Sequence, residues 1–291
     1  MYRKILVPLD GSTLSEGVLP YVRLLARAFR IPVELLHVDD PAQLNALPTV
    51  QTRKYLQKVS ASFTGTTDVT CTVELGNPAG KIVELAAVQP DILIAMATHG
   101  YSGLQRWLLG SVAEKVLHRA INHLLLVRPK GENSGEARLS TVLVPLDGSE
   151  LAEKVLPTVT GVAVGLKLKA VLVRVLVRIF FEPPEPVLPV FGTHIPNQKE
   201  IWAEASAAAT GYLQDKVEQL RAEGLADVSS VLIDGSAEGA AGGILDLAKK
   251  TPDNLVAMST HGKSGLGRWV IGSVTERVVR HSSDPVLVIR P

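Results

Sequence analysis

The sequence predicts two tandem α/β domains, each a doubly wound, five-stranded parallel sheet with helices on both faces. Three observations carry this. Residues 6–12 read LVPLDGS and residues 143–149 read LVPLDGS again, so the chain contains a long internal repeat. Within each copy, apolar runs of strand length alternate with stretches whose apolar residues recur at helical spacing, the pattern of βαβ units. The 291 residues suffice for two domains. They are 46% hydrophobic but only 4% aromatic, so the cores are built of Ala, Val, Leu and Ile, which suits buried parallel strands.

The elements of the first copy follow in order. Residues 5–9 form a continuous apolar strand. Val18, Val22, Leu25, Ala26 and Phe29 then mark a helix, with Thr13 and Glu16 spaced as an N-cap and its partner. Residues 33–38 read as the second strand, and Tyr55, Leu56 and Val59 fall on the second helix. Residues 69–75 alternate as the third strand, and Cys71 within it reads as a buried, inert thiol. Pro78 opens a third helix through Ala87, 92–95 is the fourth strand, 111–119 the fourth helix and 124–128 the fifth strand.

The second copy repeats this plan with an insertion. Its first block lies 137 residues after the first copy's, whereas the Thr98-His99-Gly100 block recurs 162 residues later as Thr260-His261-Gly262. The added residues centre on 179–197, whose five prolines resist helix and central strand alike and predict a surface loop. Phe180, Phe181, Val190 and Phe191 make that loop apolar enough to serve as a partner-binding segment or lid, or to fold back on its own domain. The expected division is 1–130, a linker at 131–139, and 140–291.

Thirty basic against 29 acidic residues leave a net charge of +1, which argues against a nucleic-acid-binding protein and an acidic tail. One cysteine permits neither an internal disulfide nor a multi-cysteine zinc site, and the apolar stretches are short or broken by arginine. No signal peptide or membrane span is expected, and the expected setting is the cytoplasm.

In an open parallel sheet, ligands bind beyond the carboxyl ends of the strands where the strand order reverses. Asp10-Gly11-Ser12 follows the first strand, Thr98-His99-Gly100 follows the fourth, and Gly110-Ser111 opens the fourth helix, whose unpaired amides suit an anion. Asp10 could also simply cap the following helix. His99 and His261 read as residues that orient loop backbone, because no further ligand sits at metal-binding spacing, and Trp107 and Trp269 read as core. Gly262-Lys263-Ser264 lacks the leading glycine of a P-loop, which would fall at Ala257.

The spacing Gly100-x9-Gly110-Ser111, repeated as Gly262-x9-Gly272-Ser273, together with the VPLDGS opening and VRP closing strand, resembles the universal stress protein family over essentially the whole chain. The first glycine of that family's motif is replaced by Ala97 and Ser259, small residues that preserve close backbone approach but would be penalised at positive φ. The resemblance implies strand order 3-2-1-4-5 in each domain, and pairing of the two domains through their last strands. It further implies an adenine nucleotide, ATP or AMP or ADP, with Mg²⁺ as its natural companion. Asp10 and Val38 would hold adenine in the first copy, and Asp147 and Val175 in the second. Gly100, Gly110 and Ser111, and Gly262, Gly272 and Ser273, would hold phosphates. Pro8, Leu9, Ala97, His99 and Val112 would complete the first site, and Pro145, Leu146, Ser259, His261, Lys263, Val274 and Thr275 the second.

Lys263 and Thr275 replace Tyr101 and Ala113 of the first copy, so the second site is expected to hold a polyphosphate more tightly. No residue presents itself as a base to activate water, which favours a nucleotide-binding stress or signalling regulator over an enzyme, with slow ATP hydrolysis as the most it would catalyse. An interaction module of the same fold without nucleotide is the alternative. A homodimer and an unidentified regulatory protein are the expected partners beyond the nucleotide.

Overall fold

The computed structural model describes residues 2–41, 49–65, 68–99, 109–129, 135–177, 198–234, 238–260 and 271–291. The first half runs β1 (Lys4–Pro8), a 3-10 turn (Ser15–Val18), α1 (Leu19–Phe29), β2 (Val33–Asp39), α2 (Thr49–Ser60), β3 (Val69–Leu75), α3 (Pro78–Ala87), β4 (Ile92–Ala97), α4 (Ser111–Arg119) and β5 (Leu124–Val127). The second runs β6 (Thr141–Pro145), α5 (Glu150–Glu153), α6 (Leu156–Leu166), β7 (Lys169–Leu176), α7 (Gln198–Ala222), β8 (Val228–Asp234), α8 (Gly239–Lys250), β9 (Asn254–Ser259), α9 (Ser273–His281) and β10 (Val286–Ile289). The proline-rich 179–197 segment and both Trp107 and Trp269 lie outside the described residues.

The strand order is β3-β2-β1-β4-β5-β10-β9-β6-β7-β8. Each half has the expected 3-2-1-4-5 order, and the halves meet, as expected, through their last strands. β5 and β10 pair antiparallel, Leu125 opposite Leu287, so all ten strands make one mixed sheet with a single antiparallel join. The join removes two sheet edges that would otherwise expose unpaired backbone groups.

Both faces are covered, as parallel sheets require. One apolar cluster packs α1, α2, α5, α6 and α7 on one face, and the other packs α3, α4, α8 and α9 on the opposite face. Each cluster contains residues of both halves, so the seam is part of the core. On the first face α1 meets α6, where Gly165 admits the Phe29 ring; a Cβ at 165 would stand 2.7 Å from Phe29 Cζ.

On the second face the two closing strands exchange arginines. Arg128 Nη2 donates to Arg280 O of α9 at 2.7 Å, and Arg290 Nη2 donates to Leu117 O of α4. Each half thereby satisfies a carbonyl in the last turn of the other half's final helix, where a cation also complements the helix dipole. Arg280 Nη2 adds a contact across the same seam to Glu114 Oε1 at 2.6 Å and one within α9 to Glu276 Oε1 at 2.8 Å.

His123 also belongs to this seam. Its Nε2 lies 3.3 Å from Arg290 O and its Nδ1 2.9 Å from Tyr2 Oη, which suits a neutral ring donating through Nε2 and accepting at Nδ1. Burial, with Arg290 contributing, holds the imidazole below its ordinary 6.5, although the bond to Arg290 O works the other way. The unfolded chain therefore takes the proton more readily. This contribution to stability is full above about pH 6.5 and is lost as pH falls from there through the lowered folded value. The melting temperature is expected to drop between about pH 7 and about pH 5, and to drop less in His123→Gln; equal slopes would contradict the assignment.

Two local expectations are corrected. Thr13 and Glu16 do not form the capping pair: Ser12 Oγ accepts from Ser15 N at 3.1 Å, and in the second half Ser149 Oγ accepts from Ala152 N at 3.2 Å. The chain turns more tightly than the apolar spacing suggested, through a 3-10 turn in one half and the four-residue α5 in the other. Cys71 is exposed, not buried, because β3 is the edge strand with one neighbour and lacks full helical cover.

Candidate functional site

The strand order reverses between β1 and β4, and again between β6 and β9, because each pair has its sequence neighbours on opposite sides. The carboxyl ends of these strands are where most of the expected site residues stand. β1 ends at Pro8 opposite Leu36, while β2 runs on to Asp39, so the backbone of Val38 extends past the end of β1. Likewise β6 ends at Pro145 opposite Val173, and β7 continues through Val175 to Leu176. Leu9 and Leu146 are core residues, so their side chains face inward and only their backbone borders the strand end.

Asp10 and Asp147 both fold a tight turn. Asp10 Oδ1 accepts from Ser12 N at 2.9 Å and from Ser12 Oγ at 2.5 Å. Asp147 Oδ1 accepts from Ser149 N at 3.0 Å and Ser149 Oγ at 2.6 Å. Between each pair lies a glycine at positive φ, Gly11 at 84° and Gly148 at 81°, a region a side chain disfavours. The aspartate thus organises the loop and leaves the capping itself to the serine.

In the second half two residues of α7 meet Glu153, which follows this turn. Tyr212 on α7 donates its hydroxyl to Glu153 Oε1 at 2.9 Å, and Lys216 Nζ reaches Glu153 Oε2 at 2.7 Å. Tyr55 on α2 has its hydroxyl raised first by burial and next by Glu16, but that hydroxyl makes no hydrogen bond among the described residues. The signal for these pairs was present in the repeat, since Glu16 and Glu153 occupy the same place in the two copies.

The other end of the crevice is a helix start. Gly110 is the N-cap of α4 with φ −60° and ψ 145°, and Gly272 is the N-cap of α9 with φ −63° and ψ 142°. Neither helix has a side-chain cap. Gly110 N donates to Thr98 O at 2.7 Å and Gly272 N to Thr260 O at 2.7 Å, pinning each helix start to the end of the adjacent strand. The amides of Ser111, Val112 and Ala113, and of Ser273, Val274 and Thr275, follow without intrahelical acceptors. Ser111 and Ser273 are exposed there, while Val112 and Val274 lean on the core.

Ala97 and Ser259 are buried strand residues without positive φ, so the glycine of the family motif is not conformationally required. His99 Nδ1 lies 2.9 Å from Thr98 Oγ1, which sets the ring against its own strand end. Thr275 is buried, and its Oγ1 donates to Ser259 O at 2.8 Å, so this hydroxyl ties α9 to β9 and does not face a phosphate. Gly100, His261, Gly262 and Lys263 lie outside the described residues.

Glu114, His118 and Glu276 bring three potential metal-ligand atoms within 4.8 Å of one another, a cluster the sequence did not reveal because Glu276 comes from the other half. Arg280 already bridges both carboxylates, so the cluster forms an ion-paired seam.

Comparison with known proteins places these features in context. The model of the "Universal stress protein family" matches residues 1–128 and again 139–290. A universal stress protein of Mycolicibacterium smegmatis is 24% identical over 302 residues, covering 99% of this chain and 97% of that protein. A universal stress protein of Methanocaldococcus jannaschii is 35% identical over 147 residues, 45% of this chain and 86% of its own length. The crystal structure of a universal stress protein from Archaeoglobus fulgidus superposes with a TM-score of 0.75 at 20% identity, covering 100% of this chain and 99% of that one, a likeness of fold. Among the described residues no helix is long and apolar enough to cross a membrane.

Proposed function

The chain belongs to the universal stress protein family as two tandem copies, and from that premise we propose that it is an adenine-nucleotide-binding regulator. The observation that carries the reading is the crevice at the β1/β4 reversal. A helix starts there on a glycine without a side-chain cap, opposite the extended backbone of Val38 and the Asp10 turn. Uncapped first-turn amides and the positive end of α4 suit a phosphate, each dipole contact contributing about 0.3–1 kcal/mol. Val38 offers backbone groups to a base, and Asp10 an acceptor to a ribose or base. Ser111, Val112 and Ala113 would hold the phosphates. Bound nucleotide supplies a state-dependent shape at this crevice, and the chain's residues bind and orient it; no residue here is assigned a bond-breaking role.

The test is the nucleotide content of the purified full-length protein, released by denaturation and separated by chromatography, followed by calorimetric titration with ATP. Bound adenine nucleotide is expected, and Gly110→Val is expected to weaken ATP by about tenfold or more, because a branched side chain would crowd the helix-start amides. The φ at Gly110 is open to valine, so this variant is expected to fold. No nucleotide released and no heat at millimolar ATP would leave the chain an interaction module of this fold.

A further inference from the structure

The two copies differ at the turn that follows their first strands. A Cβ built on Gly11 meets nothing within 4 Å among the described residues. One built on Gly148 would overlap Arg174 Nη1 and stand 3.3 Å from its Cζ and 3.4 Å from its Nη2. Among the described residues, then, a guanidinium stands against the turn of the second half and nothing approaches the same Cβ position in the first, although Gly148 itself is exposed and Gly11 half-buried. Asp10 is exposed, whereas Asp147 is half-buried.

The cause lies one residue beyond the end of the first strand's pairing. Pro8 is opposite Leu36 and Pro145 opposite Val173, so His37 and Arg174 occupy the same place in the two halves. His37 is buried and turned along its own strand, with Nε2 3.3 Å from Asp39 Oδ1. The place of Asp39 is taken in the second half by Leu176, which offers no charge to hold a cation along the strand. Arg174 extends across the turn instead. Its Cζ lies 5.6 Å from the centroid of the Tyr212 ring, within cation–π range. The Tyr212 hydroxyl is raised first by burial and then by Glu153, with Arg174 opposing and Asp147 raising it further.

We infer that Arg174 closes the base-binding end of the second crevice, so that nucleotide binds at the first half alone, one per chain. This rests on the nucleotide reading above and reverses the expectation that the second copy is the tighter site. A planar base entering beside Val175 would have to displace a guanidinium that lies over a ring face and against the turn, whereas no described residue stands within 4 Å of the corresponding Cβ position in the first half.

Nucleotide-free full-length protein is titrated with ATP, and the stoichiometry is read by calorimetry, with thermal melts confirming that each variant is folded. One equivalent is expected for the unmodified chain, none for Asp10→Ala, two for Arg174→Ala and one for the double variant. Arg174→His, which places the first copy's residue in the second, is expected to bind two as well. Two equivalents in the unmodified chain, or one that survives Asp10→Ala, would overturn this inference alone. A count that stays at one in both folded Arg174 variants would do the same. No binding in any variant would overturn the nucleotide reading and this inference with it.

Discussion

Leu287→Ala is expected to lower the unfolding free energy by about 2–5 kcal/mol, read from urea denaturation. Leu287 is 3% exposed and faces Leu125 across the antiparallel join, within the cluster shared by both halves. The seam there already contains a void of about 10 Å³ lined by Tyr2, Tyr21, Leu25, Leu125, Val162 and Leu287, among others. Removing three side-chain carbons enlarges it, so the cavity contribution adds to the lost transfer free energy. Because the apolar cores run through the join, unfolding is expected to remain one transition at a lower midpoint. Val50→Ala, a truncation at a residue 66% exposed, is expected to change stability by no more than about 0.5 kcal/mol. A loss below about 1 kcal/mol for Leu287→Ala would mean that the two halves fold independently of their join.

Arg290→Ala is expected to cost about 1.5–3 kcal/mol, the range of a hydrogen bond to a charged group. The side chain crosses the seam to Leu117 O near the end of α4, and its own carbonyl accepts from His123. Burial holds the guanidinium down at about 10, so at neutral pH it is still charged, and the fold bears the desolvation cost of keeping it there. Its Nε has no hydrogen-bond partner among the described residues. Arg290→Met is therefore expected to lose less than Arg290→Ala, because methionine keeps the apolar stem and abolishes the desolvation. Equal losses in the two variants would assign the role of Arg290 wholly to its hydrogen bond. Arg128→Ala, at the matching position, is expected to act in the same direction through Arg280 O.

The elements legible in the sequence were those whose signal is local and repeated. The bounds 69–75, 78–87 and 111–119 are read correctly because a strand's alternation, a proline at a helix start and a glycine before one each act within a few residues. The Asp-Gly-Ser turn was visible as a motif, but its division of labour was not. Both aspartate and serine are good helix caps by type, and only the folded turn shows Asp10 holding Ser12 while Ser12 caps. Cys71 was misread because alternation along a strand says which residues share a face, not whether a neighbouring strand or helix covers it.

Arg174 shows the same limit at the candidate site. No motif marks it, and its one sequence signal is the mismatch with His37 within the repeat. By itself the sequence determined the tandem repeat, the α/β class and the strand ends where a ligand would sit, because hydrophobic periodicity and turn chemistry are local. Only the tertiary structure decided the register of the antiparallel join between the last strands and that two arginines change partners across the seam. It alone decided, too, that a guanidinium stands against one of two near-identical turns. Those outcomes depend on contacts between residues far apart in the chain, where a single changed side chain finds a different partner.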